Sequence, residues 1–237
     1  MSRLASAAVL GAALAVLAAA PAPARAEPLR ELWPEFDLYL GLNDRARALL
    51  LVQSHIAPAE GFVRGQMGGQ IELSVAPLRE KLFPTIQPSE RERATLAVGF
   101  RYGGPIAEET VGGARQGRLL AEATFRLLLP GEVLASDRNR IEARDIDGGW
   151  SWRYRNRVQI IRGFDAGFVR LAPLASAEVF YDSRSDAWTR LRVEAGVDLE
   201  ELGFKRSVIE LYLVRQFDDR SASSDVLGAG ATFAIYR

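Results

Sequence analysis

The stretch W-S-W-R-Y-R-N-R-V-Q-I, residues 150–160, decides the fold class. Arg153, Arg155 and Arg157 occupy every second position, while Trp152 and Tyr154 occupy alternate positions. Successive side chains of a β-strand point to opposite faces, so this strand has one charged face and one largely aromatic and aliphatic face. The pattern indicates a strand that separates a polar space from an apolar one.

The same alternation recurs along the chain. The longest apolar stripe runs from Leu119 to Leu129, opposed by Glu122, Thr124 and Arg126. Eleven segments follow the rule: residues 36–42, 49–52, 70–75, 95–102, 119–129, 138–144, 150–160, 175–182, 190–199, 209–213 and 226–236. Bacterial single-chain barrels have even strand numbers, so we expect about 10–12 strands, with one missed within 57–69.

Turn residues punctuate these segments. Asp147-Gly148-Gly149 is a hairpin signal that leads into the Trp150 strand, and Pro130-Gly131 ends the preceding long stripe. Such short connections favour antiparallel neighbours.

The first 26 residues have the pattern of a secretory signal peptide that is removed. Arg3 precedes an Ala-rich apolar run, and Ala24-Arg25-Ala26 gives a small-x-small cleavage site. The sequence thus predicts one mature domain, residues 27–237. After cleavage, no apolar run approaches the roughly 20 residues that a membrane helix requires, so a membrane-spanning form would have to be a closed barrel.

The composition excludes several classes of protein. Without Arg3 and Arg25, 28 basic residues face 30 acidic ones, a charge of about −2 that argues against a nucleic-acid partner. The chain has no Cys, which excludes disulfide and thiol chemistry, and a single His, which offers no convincing transition-metal site. We expect no metal and no cofactor.

The cost of misplacing charge assigns the two faces. An Arg on the lipid side near the bilayer midplane costs about 2–4 kcal/mol, so the charged positions are expected to face inward. The sequence therefore predicts an all-β, antiparallel up-and-down transmembrane β-barrel with an Arg/Glu-rich lumen. Trp33, Trp150, Trp152 and Trp188 are expected at strand ends as an aromatic girdle. The alternative is that they are ordinary sheet aromatics of a soluble protein.

The inward charges form the candidate site. The predicted lumen network is Glu122, Arg126, Arg140, Glu142, Arg144, Arg153, Arg155, Arg157, Glu178, Arg190, Arg192, Glu194, Glu210 and Tyr212. It could line a polar pore or ligand cavity, or it could be an ion-pair network that fills a narrow barrel. We favour the filled lumen, because side chains can largely fill barrels of about this strand number.

Several motifs resemble those of a known family. They are the Arg-x-Arg-x-Glu-x-Arg run of residues 138–144, Arg-Tyr-Arg-x-Arg of 153–157, Glu-Leu-Tyr of 210–212, the opening Glu-Leu-Trp of 31–33 and the barrel-like last strand. Together they resemble the uncharacterised bacterial outer-membrane β-barrels catalogued as domain of unknown function 2490. The resemblance, taken over the whole mature chain, implies a fold and a location in the outer membrane of a Gram-negative bacterium, and no catalytic residue.

The C-terminal strand suggests partners. Gly230, Phe233 and Ile235 have the spacing of an insertion signal, although the chain ends on Arg237 where such barrels usually end on an aromatic residue. The expected partners are outer-membrane lipid and the outer-membrane assembly machinery, with the oligomeric state left open.

Other motifs carry little chemistry. His55 follows Ser54, but adjacent strand residues face opposite ways, so these two cannot form a hydrolase pair. Gly228-x-Gly230 is a weak phosphate motif because no helix follows it. A set of aspartates in expected loops could bind Ca²⁺ but is more simply explained as solvated turn residues: Asp182, Asp186, Asp218, Asp219 and Asp225.

Three functions remain open from the sequence. The first is an outer-membrane barrel with a structural or narrow-permeation role. The second is an outer-membrane lipid-modifying enzyme that would use His55 beside a Ser and an acid or amide. The third is a soluble periplasmic barrel whose apolar face points inward around an apolar ligand.

Overall fold

The chain forms a single β-barrel in a computed structural model that describes residues 29–60, 62–77, 92–105, 115–131, 133–165, 167, 169–200, 206–219 and 225–237. The expected signal peptide lies outside these residues. The strands are β1 Leu29–Asn43, β2 Ala46–Ala57, β3 Phe62–Pro77, β4 Glu92–Pro105, β5 Gln116–Leu129, β6 Val133–Ile146, β7 Gly149–Ile161, β8 Phe164–Asp165, β9 Arg170–Asp182, β10 Ala187–Glu200, β11 Ser207–Asp218 and β12 Val226–Tyr236, with a 3₁₀ turn Pro58–Glu60 after β2. None of the described residues forms a helix long and apolar enough to cross a membrane.

Eleven of the described strands close into a ring. Neighbouring strands pair antiparallel from β1 to β7 and from β9 to β12, β7 pairs with β9, and the two-residue β8 pairs only with β9. The ring closes by a parallel pairing of β1 with β12, from Leu29 opposite Val226 to Tyr39 opposite Tyr236. An odd number of alternating strands makes the first and last run in the same direction, so closure has to be parallel.

The eleven sequence segments correspond one to one to the ring strands. The expectation of an even number is wrong, because the parallel seam removes the need for a twelfth strand in the ring. The region of residues 57–69 contains the 3₁₀ turn and the first half of β3 rather than a missed strand.

The predicted turns are present. Asp147 and Gly148 connect β6 to β7 with φ values of 51° and 83°, the positive pair that a type I′ hairpin requires. Gly131, with φ of 81°, follows the end of β5. The strands alternate in direction, so one rim of the barrel, here called the Trp150 end, contains the β6–β7 turn, the Ser183–Asp186 turn and the start of β1. The β1–β2 turn and Arg237 share the other rim, the C-terminal end.

The two faces of the wall have opposite chemistry. Large apolar side chains point outward and are exposed, as shown by Val98 at 62% and Ile141 at 57%. Most charged side chains of the strands point inward, and Glu142 is fully buried; Asp137 of β6 has the outward parity, and Asn156 donates to its carboxylate at 2.6 Å. An all-β barrel with a polar lumen is therefore confirmed.

Aromatic side chains cluster outside the barrel at the Trp150 end. Trp152 stacks on Tyr181 with ring centroids 5.2 Å apart, and Trp188 meets Tyr181 edge-on at 5.7 Å. Trp150, Trp152 and Trp188 are all exposed. Trp33 is the exception: it is only 3% exposed and lines the lumen, so its placement in an outer girdle is wrong. It shares the inward parity of Glu31 and Glu35 on β1.

Glycines allow close strand approach on the β3–β4 wall. A Cβ on Gly99 would lie 2.5 Å from the Gln70 Cβ and 2.6 Å from the Gly69 carbonyl oxygen. A Cβ on Gly117 of β5 would have no atom of the described residues within 4 Å apart from its chain neighbours, so this glycine has open space around it.

We therefore expect Gly99→Ala to destabilise the barrel by about 1–3 kcal/mol, since the neighbouring backbone must move to accept the methyl group. Gly117→Ala is the matched control and should leave the melting temperature nearly unchanged. Thermal unfolding of both variants checks the expectation. Equal melting temperatures for the two would contradict the tight packing of β3 against β4.

Candidate functional site

Arg155 lies at the centre of the charged lumen. Its Nε and Nη2 each donate a hydrogen bond of 3.0 Å to Glu178, and its Nη1 donates one of 2.9 Å to Glu142. The strand register explains this contact set: Arg155 on β7 is flanked by inward residues of β6 and β9. Glu178 also accepts from Arg138 over 2.9 Å. This cluster ties three neighbouring strands together inside the barrel.

Further ion pairs extend the network around the wall. Arg140 donates to Glu122 over 2.6 Å, and Arg157 donates to Glu194 over 2.5 Å. Arg190 donates to Asp218 over 2.6 Å. Each pair joins strands through side chains in addition to the backbone ladder.

The aspartates expected in solvated turns are divided between two environments. Asp186 and Asp219 are exposed turn residues. Asp182 is only 1% exposed and accepts from Arg144 over 2.7 Å and from Arg153 over 3.1 Å. Asp218 and Asp225 are also buried, and the Asp218 backbone N–H donates to the Asp225 carboxylate. The solvated-turn assignment is wrong for these three: β9 and β11 extend to include Asp182 and Asp218, whose side chains point inward, and the Asp225 carboxylate is buried against the end of β11 by its hydrogen bond from Asp218.

Two inward aromatic residues support the guanidinium groups. Phe180 is 2% exposed, and the guanidinium carbons of Arg153, Arg155, Arg190 and Arg192 lie 4.8–5.8 Å from its ring centroid. A ring face attracts cations, so Phe180 provides an uncharged surface on which these arginines pack together. Sequence reasoning missed Phe180, although it has the parity of Glu178.

Trp33 has a similar position across the lumen. The Arg192 guanidinium carbon lies 4.7 Å from its ring centroid, and the His55 ring lies 4.4 Å away. The Trp33 indole N–H donates to Glu31, and the His55 Nδ1 is 3.4 Å from the same carboxylate.

All fourteen predicted network residues face the interior. Thirteen line one of two adjacent cavities, and Glu142 lies fully buried in the wall behind them. Other inward charges were not assigned to the network from the sequence, and their strand parity could have found them: Arg101, Arg118, Arg138, Asp182 and Asp198.

The network does not fill the lumen completely. A cavity of about 710 Å³ extends from Asp37 and Glu210 in the middle of the barrel to Ile146 and Arg184 at the Trp150 end. A second cavity of about 220 Å³ lies towards the C-terminal end and shares Asp37 and Arg101 with the first. The expectation of a filled lumen is therefore wrong for this part of the interior.

Packed apolar side chains occupy the C-terminal end. Leu134, Ile161 and Leu174 form one inward cluster and are at most 5% exposed. Val208 and Tyr236 form another, with Tyr39 stacked on Tyr236 at 4.6 Å. The polar space is thus wide at the Trp150 end and narrow at the C-terminal end.

His55 is the single imidazole of the chain, and it lies among the described lumen residues. It faces the larger cavity beside Glu31 and Trp33. Its neighbour Ser54 has the opposite, outward parity on β2, and within the described ranges no serine hydroxyl contacts the His55 ring. The geometry therefore provides a His–Glu pair without a serine nucleophile.

The fold and its interior define an eleven-stranded β-barrel with a polar, arginine-rich lumen. Residues 79–226 match the family model described as "Protein of unknown function (DUF2490)". The chain belongs to this family. The match contains the motifs of residues 138–144, 153–157 and 210–212, whereas the opening motif of residues 31–33 and nearly all of the last strand lie outside it. A comparison with the curated proteins found no match.

Proposed function

We propose that this protein is an outer-membrane β-barrel whose outer wall contacts lipid and whose lumen has a structural or narrow-permeation role. One observation carries the proposal: large apolar side chains are exposed around a closed ring of strands, on the face opposite most of the charges. Soluble proteins rarely expose contiguous apolar surface of this extent. A closed ring also leaves no unpaired strand edge, as a strand-built membrane span requires.

The interior supports a role without a wide channel. Buried ion pairs join strands along the inner face of the wall from β5 to β11, and packed apolar residues narrow the lumen at the C-terminal end. A hydrated ion moving along the lumen would have to displace these contacts. Steady, large conductance is therefore not expected of the wild-type barrel.

The two alternatives have less support. A soluble barrel holding an apolar ligand needs its apolar face inward, but that face points outward here. A lipid-modifying enzyme needs a nucleophile beside His55, and the described lumen residues near it provide Glu31 and Trp33 instead.

Membrane fractionation tests the proposed location. The mature protein should be recovered with outer membranes, resist extraction by carbonate or urea, and migrate differently on gels before and after boiling. These results follow from a closed hydrogen-bonded barrel with an apolar exterior. Recovery of the folded protein in the soluble periplasmic fraction would overturn the proposal.

A further inference from the structure

Three arginines lie side by side on neighbouring strands in the larger cavity. The register places Arg101 of β4 directly opposite Arg118 of β5, and Arg118 directly opposite Arg144 of β6. Directly opposed like charges destabilise a sheet. Arg140 and Arg155 are opposed in the same way, and Glu122, Glu142 and Glu178 neutralise them. The three arginines of β4 to β6, here called the arginine row, therefore also require counter-charges.

The members of the arginine row differ in their partners. Arg144 is neutralised by Asp182 at 2.7 Å. Arg101 and Arg118 have no carboxylate within 4.0 Å in the part of the chain that the structure describes, and the buried Nε of Arg101 has no hydrogen-bond partner there. Arg118 is attracted by the charge of Glu142 and repelled by those of Arg155, Arg64 and Arg144. Within the described residues, these two cationic groups therefore have no carboxylate in direct contact.

The whole cavity has the same imbalance. Among the described residues, twelve arginines and seven carboxylates line it, and three further carboxylates, Glu122, Glu142 and Asp218, pair with lining arginines, which leaves an excess of two positive charges. The carboxylates are mostly engaged elsewhere: Glu178, Asp182 and Glu194 already pair with other arginines. A multiply charged anion would balance this excess better than a single carboxylate would.

We infer that the arginine row is a binding site for a phosphate group, in which Arg101 and Arg118 supply the guanidinium donors. Guanidinium forks match the oxygens of phosphate, and a confined site strengthens charge-assisted hydrogen bonds. The cavity volume of about 710 Å³ accommodates a small phosphate monoester, and its lining reaches the Trp150 end, through which a water-soluble ligand can enter. The closed strand ladder separates the row from any phosphate group outside the barrel wall, so the ligand is a soluble phosphate. This inference does not depend on the membrane location.

Thermal unfolding and phosphorus NMR of the purified, folded barrel test the site. Inorganic phosphate should raise the wild-type melting temperature relative to chloride at equal ionic strength, and its NMR line should broaden on binding. Arg118→Gln should reduce the affinity about tenfold or more, because a charge-assisted hydrogen bond is lost. Without phosphate, its melting temperature should not fall, since the substitution removes a repelled charge. If Arg118 only stabilised the fold, Arg118→Gln would lower the melting temperature without phosphate and leave the phosphate affinity unchanged.

Controls separate the possible sources of binding. Arg45→Gln, in an exposed turn outside the larger cavity, should bind phosphate as the wild type does. Glycerol 3-phosphate should compete with phosphate, while short-chain phosphatidic acid in the detergent micelle should not. The inference is overturned if phosphate stabilises the wild type no more than chloride does, if Arg118→Gln retains full affinity, or if only the micellar lipid competes.

Discussion

Arg155→Ala is expected to destabilise the barrel by about 3–5 kcal/mol, the cost of leaving buried partners without their counter-charge. Glu142 loses its only short contact, since its remaining described ion pair is with Arg140 at 3.9 Å. Glu178 keeps Arg138 at 2.9 Å and is less affected. The melting temperature of the purified barrel measures the effect.

A second substitution identifies the cause. Adding Glu142→Gln to Arg155→Ala removes the stranded carboxylate charge and should recover part of the lost stability. Arg45→Ala is the matched control, because this side chain is exposed and should be replaceable without loss. A different result would refute the packed network: the wild type forms steady, anion-selective channels, and Arg155→Ala lowers that selectivity without changing the melting temperature. The lumen would then be an open pore.

Leu211→Arg is expected to reduce assembly strongly. Leu211 is 44% exposed on the outer wall. An Arg at a lipid-facing position costs about 2–4 kcal/mol at the membrane midplane. Its neighbour Glu210 points into the lumen, so Glu210→Gln keeps the side-chain shape and adds no charge to the outer wall. The yield of heat-modifiable protein in the outer membrane compares the two variants.

Two further pairs repeat this comparison on other strands. Ala123→Arg and Val193→Arg should assemble poorly, whereas Glu122→Gln and Arg192→Gln should assemble better. Equal tolerance of both sets would contradict the assignment of the faces.

Much of the barrel could be predicted from period-two alternation. The eleven segments and the inward placement of Arg153, Arg155 and Arg157 follow from it, because a one-residue register slip would expose every charge. The even strand number was an expectation from other barrels rather than from this chain. The parallel β1–β12 seam could not be foreseen, since alternation within a strand contains no information on which strand closes the ring.

The errors at the strand ends have a common cause. Trp33 and Asp182 were assigned by residue type, an aromatic at a membrane boundary and an acid in a turn. Their parity, shared with Glu31 and Glu178 respectively, places both inside. The partners of each charge and the unfilled cavity required coordinates, because strand order alone does not say how far each side chain reaches across the lumen.

Spin labelling in reconstituted vesicles tests the central claim, an apolar outer wall in lipid around a charged interior. The chain has no Cys, so single substitutions give unambiguous labels. Val98→Cys and Ala231→Cys place labels outward, Thr232→Cys places one in the lumen, and Arg45→Cys marks an exposed turn. The two outward labels should collide more with oxygen than with a water-soluble nickel chelate, and the Thr232 label should not. If the nickel chelate reaches the Val98 and Ala231 labels as readily as the Arg45 label, the outer wall is not in lipid.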